Sequence, residues 1–105
     1  MYNKHLEYEF DPQKEIRNFA KHGINFKTAK EVFEDDHVII APDPKHSIDE
    51  PRWFAVGRTR EGSIITVWFT RREERIRIIG AAPLRKGKKE YEKRKISRLS
   101  QVEMD

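Results

Sequence analysis

The chain has 105 residues, no cysteine, 38% charged residues and a net charge of +4. That length suits a single domain over residues 1–105 whose core stands without metals or disulfides, and the missing thiols exclude disulfide frameworks, cysteine nucleophiles and zinc knuckles. The Met1–His5 start carries no apolar signal segment and no apolar run nears the roughly 20 residues that span a bilayer, so a cytoplasmic protein with no membrane partner is expected.

In chain order, Leu6-Glu7-Tyr8-Glu9-Phe10 alternates apolar and charged residues, which predicts a short strand with one wet face. Asp11-Pro12 reads as a helix N-cap followed by proline at the first helical position. Ile16, Phe19 and Ala20 give that helix an apolar side at i, i+3, i+4. Lys21-His22-Gly23 ends it, with cations in the last turn and a glycine suited to the left-handed C′ position. Asn25 is placed to cap a second helix whose inner face is Phe26, Ala29, Val32 and Phe33. Residues 38–41 predict a short strand, followed by a proline- and charge-rich loop over 42–51. Three strands are expected over 52–59, 64–70 and 75–82, with connectors short enough for antiparallel hairpins. Residues 84–100 read as a basic surface helix with Leu84, Tyr91 and Ile96 as its apolar points. Gly87 costs about 1 kcal/mol against alanine in a helix and moves the expected start to Lys88. The order is a short N-terminal strand, two helices, an antiparallel β-meander and a C-terminal basic helix. That is an α+β fold with helices segregated to one side of a sheet.

Charge is distributed unevenly. Residues 71–98 carry 12 Lys and Arg against 4 Asp and Glu, so one end of a nearly neutral chain holds the excess. A concentrated basic surface gathers polyanions, nucleic acid first among them. Trp53, Phe54, Trp68 and Phe69 offer rings for base stacking, but adjacent strand residues face opposite ways, so at most one of each pair is free for it.

The ordered set Phe10-Asp11-Pro12-x-Lys14, Asn18, Lys21-His22-Gly23-Ile24-x-Phe26, Ala29, Val32-Phe33, Gly57-Arg58 and Thr70-x-Arg72-x-x-Arg75-Ile76-Arg77-Ile78-Ile79 resembles the BrnT family. These are the toxin halves of bacterial type II toxin–antitoxin pairs, and the likeness runs from about Phe10 to Tyr91. It implies a RelE-like fold and a ribonuclease activity that inhibits translation. It also implies neutralisation by a BrnA-like antitoxin carrying a ribbon-helix-helix segment, in a toxin–antitoxin hetero-oligomer. One departure stands out. Where the family usually continues Ser-Ala-Arg after the last strand, this chain has Gly80-Ala81-Ala82, then Pro83. Either Arg85 or Lys86 supplies the missing charge from a shifted position, or the chain keeps partner binding with weak cleavage.

Cutting RNA without a metal or cofactor requires a base for the ribose 2′-hydroxyl, fixed cations for the phosphoryl oxygens and a proton for the leaving 5′-oxygen. Arginine matches phosphate bidentately and stays charged, while histidine titrates near neutrality. The expected catalytic set is His22, Lys21, Arg58 and Arg77. His22 is equally suited to helix termination, and Lys21, one residue away, points elsewhere by about 100° on a helix. Arg58 follows Gly57 in a strand, where glycine marks a close approach; a wet surface arginine is the plain alternative. Arg75 and Arg77 alternate with Ile76 and Ile78 and so share one face, with Arg77, deeper in the strand, the preferred phosphate clamp. Arg75, Thr70, Arg72, Arg85 and Lys86 complete the expected RNA-binding set, although Thr70 is better accounted for as the end of its strand. Asp35-Asp36-His37 and the Asp43/His46/Asp49-Glu50 loop match no calcium or zinc spacing, and no metal is expected. The competing readings are an antitoxin-binding module with vestigial catalysis, and a nonspecific nucleic-acid binder.

Overall fold

The computed structural model describes residues 6–104, with side chains over 6–96. Five strands and three α-helices form there: β1 (Glu7–Glu9), α1 (Pro12–His22), α2 (Phe26–Ala29), β2 (Ile39–Pro42), β3 (Trp53–Arg58), β4 (Ile64–Arg72), β5 (Arg75–Ala82) and α3 (Arg85–Met104). α2 tightens into a 3₁₀ segment at Lys30–Glu34, and Pro44–His46 forms a second 3₁₀ turn. The strands make one mixed sheet in the order β1-β5-β4-β3-β2, with β1 parallel to β5 and the other neighbours antiparallel.

Local chemistry sets the element ends. The Asp11 side chain accepts the Gln13 N–H, Gly23 takes φ 71° at the end of α1, and Asn25 accepts the Thr28 N–H. Phe26, Ala29, Val32 and Phe33 then pack as one buried face on Val67, Phe69, Ile76 and Ile78. Phe33 meets Phe69 edge-on with ring centroids 5.0 Å apart, a favoured aromatic geometry.

The helices do not keep to one side of the sheet, contrary to expectation. β4 is buried on both faces from Ile64 to Val67, so α2 and its 3₁₀ extension cover one face while α3 crosses the other. There Tyr91 packs with Ile39, Val56 and Ile64. α3 starts at Arg85 and runs through Gly87, because that residue lies against the sheet. A Cβ at 87 would sit 2.5 Å from Thr66 Oγ1 and 3.2 Å from a Val56 methyl. Of the three apolar points expected on α3, Tyr91 alone inserts; Leu84 and Ile96 are exposed.

Gly57 makes the second close approach. A Cβ there would lie 2.9 Å from Val32 Cβ and 3.0 Å from Val32 O. A backbone oxygen cannot rotate away as a side chain can. Gly57→Ala is therefore expected to destabilise the protein by about 3 kcal/mol, at the high end for overpacking, read as a lower urea midpoint at unchanged slope.

α1 is turned the opposite way from the usual amphipathic helix. Ile16 and Phe19 are 68% and 53% exposed, and the polar side meets the sheet. Asn18 Oδ1 accepts the Ala81 N–H at 3.0 Å, its amide donates to Ile24 O at 3.0 Å, and Glu15 Oε2 accepts the Phe26 N–H at 2.9 Å. β1 ends opposite Arg77, so α1 takes over the edge of β5, and Asn18 satisfies an edge amide that would otherwise lie open.

Candidate nucleic-acid surface and active site

Arg75 and Arg77 share a sheet face, as their alternation predicts, and the parallel pairing of β1 sets a carboxylate against each. Glu7 is opposite Arg75 and Glu9 opposite Arg77. Arg77 Nη1 lies 2.6 Å from Glu9 Oε2, and Arg75 donates to Glu7 at 3.1 Å with Glu9 3.8 Å away. The Arg77–Glu9 pair is sheltered, at 26% and 27% exposed, whereas Arg75 and Glu7 stand mostly in solvent. Neither glutamate figured among the expected site residues. The signal was present, since Glu7-Tyr8-Glu9 has the same alternation as Arg75-Ile76-Arg77.

Further along this face the register sets Phe54 directly opposite Trp68, both half-buried, while Trp53 and Phe69 point into the core side. The half of the face between Trp68 and Arg72 thus offers two aromatic rings beside a row of arginines. Arg72 is half exposed and pairs with Glu50 at 3.2 Å. Thr70 is not available to a phosphate: its side chain is 1% exposed and its hydroxyl donates to Pro51 O at 2.7 Å, tying β4 to the preceding loop.

Arg58 lies on the same face but far from Arg77. Arg58 is opposite Ile64 and Arg77 opposite Thr70. Six residues of β4 separate those positions, about 20 Å at the usual strand rise, and α3 passes over Thr66 between them. The two arginines are therefore not brought to one phosphodiester. Arg58 is engaged locally: its N–H donates to Asp35 Oδ2 at 2.8 Å, and its guanidinium donates to Gly62 O at 3.3 Å. The guanidinium also lies 5.8 Å from the Tyr91 ring centroid.

Asp35 is the hub of this cluster. Besides the Arg58 N–H it accepts the Tyr91 hydroxyl at 2.6 Å and the His37 N–H at 2.9 Å. Burial works to raise its carboxyl, but the hydrogen bonds from Tyr91, His37 and Arg58, helped by the nearby His37 ring, hold it below the ordinary aspartate value. Desolvation, together with the Asp35 contact, raises the Tyr91 phenol, against the pull of Arg58. In sequence Asp35 sits in an acidic loop, with no local sign of partners 23 and 56 positions away.

His22 is half-buried at the end of α1 and Lys21 is exposed. His22 lies one turn beyond Asn18 on the same side of the helix. Asn18 is bonded to Ala81, four residues beyond Arg77 on β5, so His22 shares the side of α1 that faces the sheet. Gly87 and Tyr91 face the sheet from α3, which sends Arg85, Lys88 and Lys89 to one flank at 100° per residue. With Gly62, Ser63, Pro83 and the carboxylate of Glu92 they line a cleft of about 720 Å³ that keeps a net positive charge. Lys86 falls on the other flank, toward the open half of the sheet. The expected cations thus form two groups, Arg72, Arg75 and Arg77 on the face that carries the aromatic pair and Arg85 with two lysines in the cleft, while Lys86 is exposed on the far flank of α3. Together they present positive charge on both sides of the first turns of α3.

Residues 10–90 match the family model described as the ribonuclease toxin, BrnT, of a type II toxin–antitoxin system. Among solved structures the chain is similar to the 1.1 Å crystal structure of the Brucella abortus ribonuclease toxin BrnT. The TM-score is 0.61 at 22% identity, covering 75% of this chain and 96% of that one. That likeness concerns the mixed α+β fold. No curated protein matches the sequence.

Proposed function

The chain belongs to the BrnT family of ribonuclease toxins of type II toxin–antitoxin systems, and on that premise we propose that residues 1–105 form one RelE-like toxin domain that cleaves RNA without a metal ion. The observation that carries the reading is the sheltered Arg77–Glu9 pair, 2.6 Å apart on an open sheet face beside Trp68 and Arg75. A phosphodiester entering there exchanges for the carboxylate on Arg77. Arg77 and Arg75 then hold the non-bridging oxygens as negative charge builds on them. The freed Glu9 takes the 2′-hydroxyl proton, the 2′-oxygen attacks phosphorus, and the 5′-oxygen leaves with a proton from water; His22, toward the Ala81 end of β5, lies outside this step. Trp68 stacks a flanking base. Lys86, and Arg85 with its neighbouring lysines, draw the rest of the strand across the start of α3. Arg58 and Thr70 serve as structural members, and Lys21 lies outside the reacting set. Cleavage in the cytoplasm inhibits translation until a BrnA-like antitoxin captures the toxin in a hetero-oligomer.

Incubation of an unstructured RNA with the purified chain in excess EDTA tests the metal-free step. Fragments are expected at an undiminished rate, and cleavage abolished by chelation overturns it. One observation favours a second reading, an antitoxin-binding module with weak catalysis. Ala82, near which the family carries arginine, is 2% exposed beneath the start of α3. Induced expression without antitoxin separates the two, because a toxin arrests growth and a binding module leaves it unaffected.

A further inference from the structure

We propose that the outward face of α1 is the docking surface for an acidic, amphipathic segment of the antitoxin; this rests on the toxin reading above and adds where the partner binds. α1 is held in place by polar groups. Glu15 and Asn18 face inward and make three hydrogen bonds to Phe26, Ile24 and Ala81, so the helix needs no apolar contact with its own sheet. Its apolar stripe of Ile16, Phe19 and Ala20 is left in water, and among the described residues nothing covers it. A continuous stripe of this kind on a helix anchored from its polar side is arranged for burial against something else.

The charges choose the occupant. Arg17 and Lys21 follow the stripe along one flank, 100° and 140° from Ile16 at the helical period, and both are exposed. Neither is paired among the described residues. The carboxylate of the helix interior, Glu15, is turned inward, so the outward face is apolar in the middle and positive at the rim. An acidic helix with its own apolar face complements both features. RNA would use the cations and leave the phenyl ring and the isoleucine wet, which makes a protein the better match.

The test uses the full chain and the purified product of the reading frame adjacent to its own, with binding measured at equilibrium. Ile16→Glu plus Phe19→Glu is expected to weaken the complex roughly hundredfold or more, as for loss of central apolar anchors. Phe19→Leu should retain most of the affinity, and Arg17→Glu should reduce both the affinity and its salt dependence. The substituted side chains are exposed, so melting temperature and RNA cleavage by the free chain are expected to stay unchanged. Wild-type affinity in the double variant overturns the proposal, as does failure of the wild-type chain to bind that product. Two further results also overturn it: a wild-type dimer that the double variant splits into monomers, which makes a second copy the occupant, and lost cleavage with intact antitoxin affinity. A wild-type chain that fails to cut RNA while the variants lose the antitoxin removes the ribonuclease reading and leaves this one standing.

Discussion

Arg77→Ala is expected to slow single-turnover RNA cleavage by roughly 10²–10³-fold, the usual cost of removing one preorganised group from a developing oxyanion. The fold should survive. Arg77 and Glu9 are each about a quarter exposed, so the orphaned carboxylate remains partly hydrated and the loss of stability stays near 1 kcal/mol. Arg77→Lys is expected to recover only a part of the rate, because a point charge replaces a planar fork that grips two oxygens. Arg58→Ala separates position from charge. It removes the same charge from the same sheet face about 20 Å away, and it should leave cleavage within a few-fold of wild type while lowering stability. Full activity in Arg77→Ala, or an equal collapse in Arg58→Ala, would show that the reacting phosphate sits elsewhere. Glu9→Gln adds a readout that a purely structural role would not move. Most of the rate should go while stability stays within about 1 kcal/mol of wild type, because the amide can still meet Arg77 but cannot take a proton.

The second large effect is on stability. Asp35→Ala is expected to cost about 3 kcal/mol, because it strands the Arg58 N–H and the Tyr91 hydroxyl, and Tyr91→Phe about half as much. Asp35 links the 3₁₀ segment before β2 to β3 and to α3, so its loss should loosen the C-terminal helix first, seen as faster amide exchange around Tyr91. The pH dependence has a definite sign. The Asp35 carboxyl is held below its ordinary value, so the folded chain binds that proton more weakly than the unfolded chain. Its contribution is whole above the ordinary aspartate range and is lost as pH falls through the folded-state value. Tyr91 is shifted upward, so its contribution is whole below the ordinary tyrosine range and is lost as pH rises through the folded-state value. The link therefore holds across neutral pH and weakens at both extremes. In Asp35→Asn the acid-side loss of stability should flatten in urea unfolding. An unchanged acid limb would assign that dependence to other carboxylates.

Much of the molecule is legible in one dimension. Asp11 and Gly23 bound α1 because a cap and a left-handed turn are local requirements, and Arg75–Ala82 is a strand because isoleucine and arginine alternate there. Phe26, Ala29, Val32 and Phe33 declare a core face through spacing, and the ordered motifs declare the family. Periodicity reports which residues share a face of their own element. It is silent on what that face meets. The outward turn of α1 follows from hydrogen bonds that Asn18 makes with a strand 63 positions later, and the covering of both sheet faces follows from the path of α3 over Gly87.

The candidate site divides along the same line. Residue type and alternation offer Arg77 and Arg75 as candidate phosphate ligands, and the family resemblance adds His22 as a candidate proton carrier, whose spacing alone points to a helix end. The partnership of Arg77 with Glu9 exists because β1 pairs in parallel with a strand 68 positions away, and the separation of Arg58 from Arg77 exists because they sit at opposite ends of β4. The ordered motifs determined the family, and local spacing determined the elements that bear its residues. Strand order and register, properties of the assembled sheet rather than of any segment, decided which charges stand together.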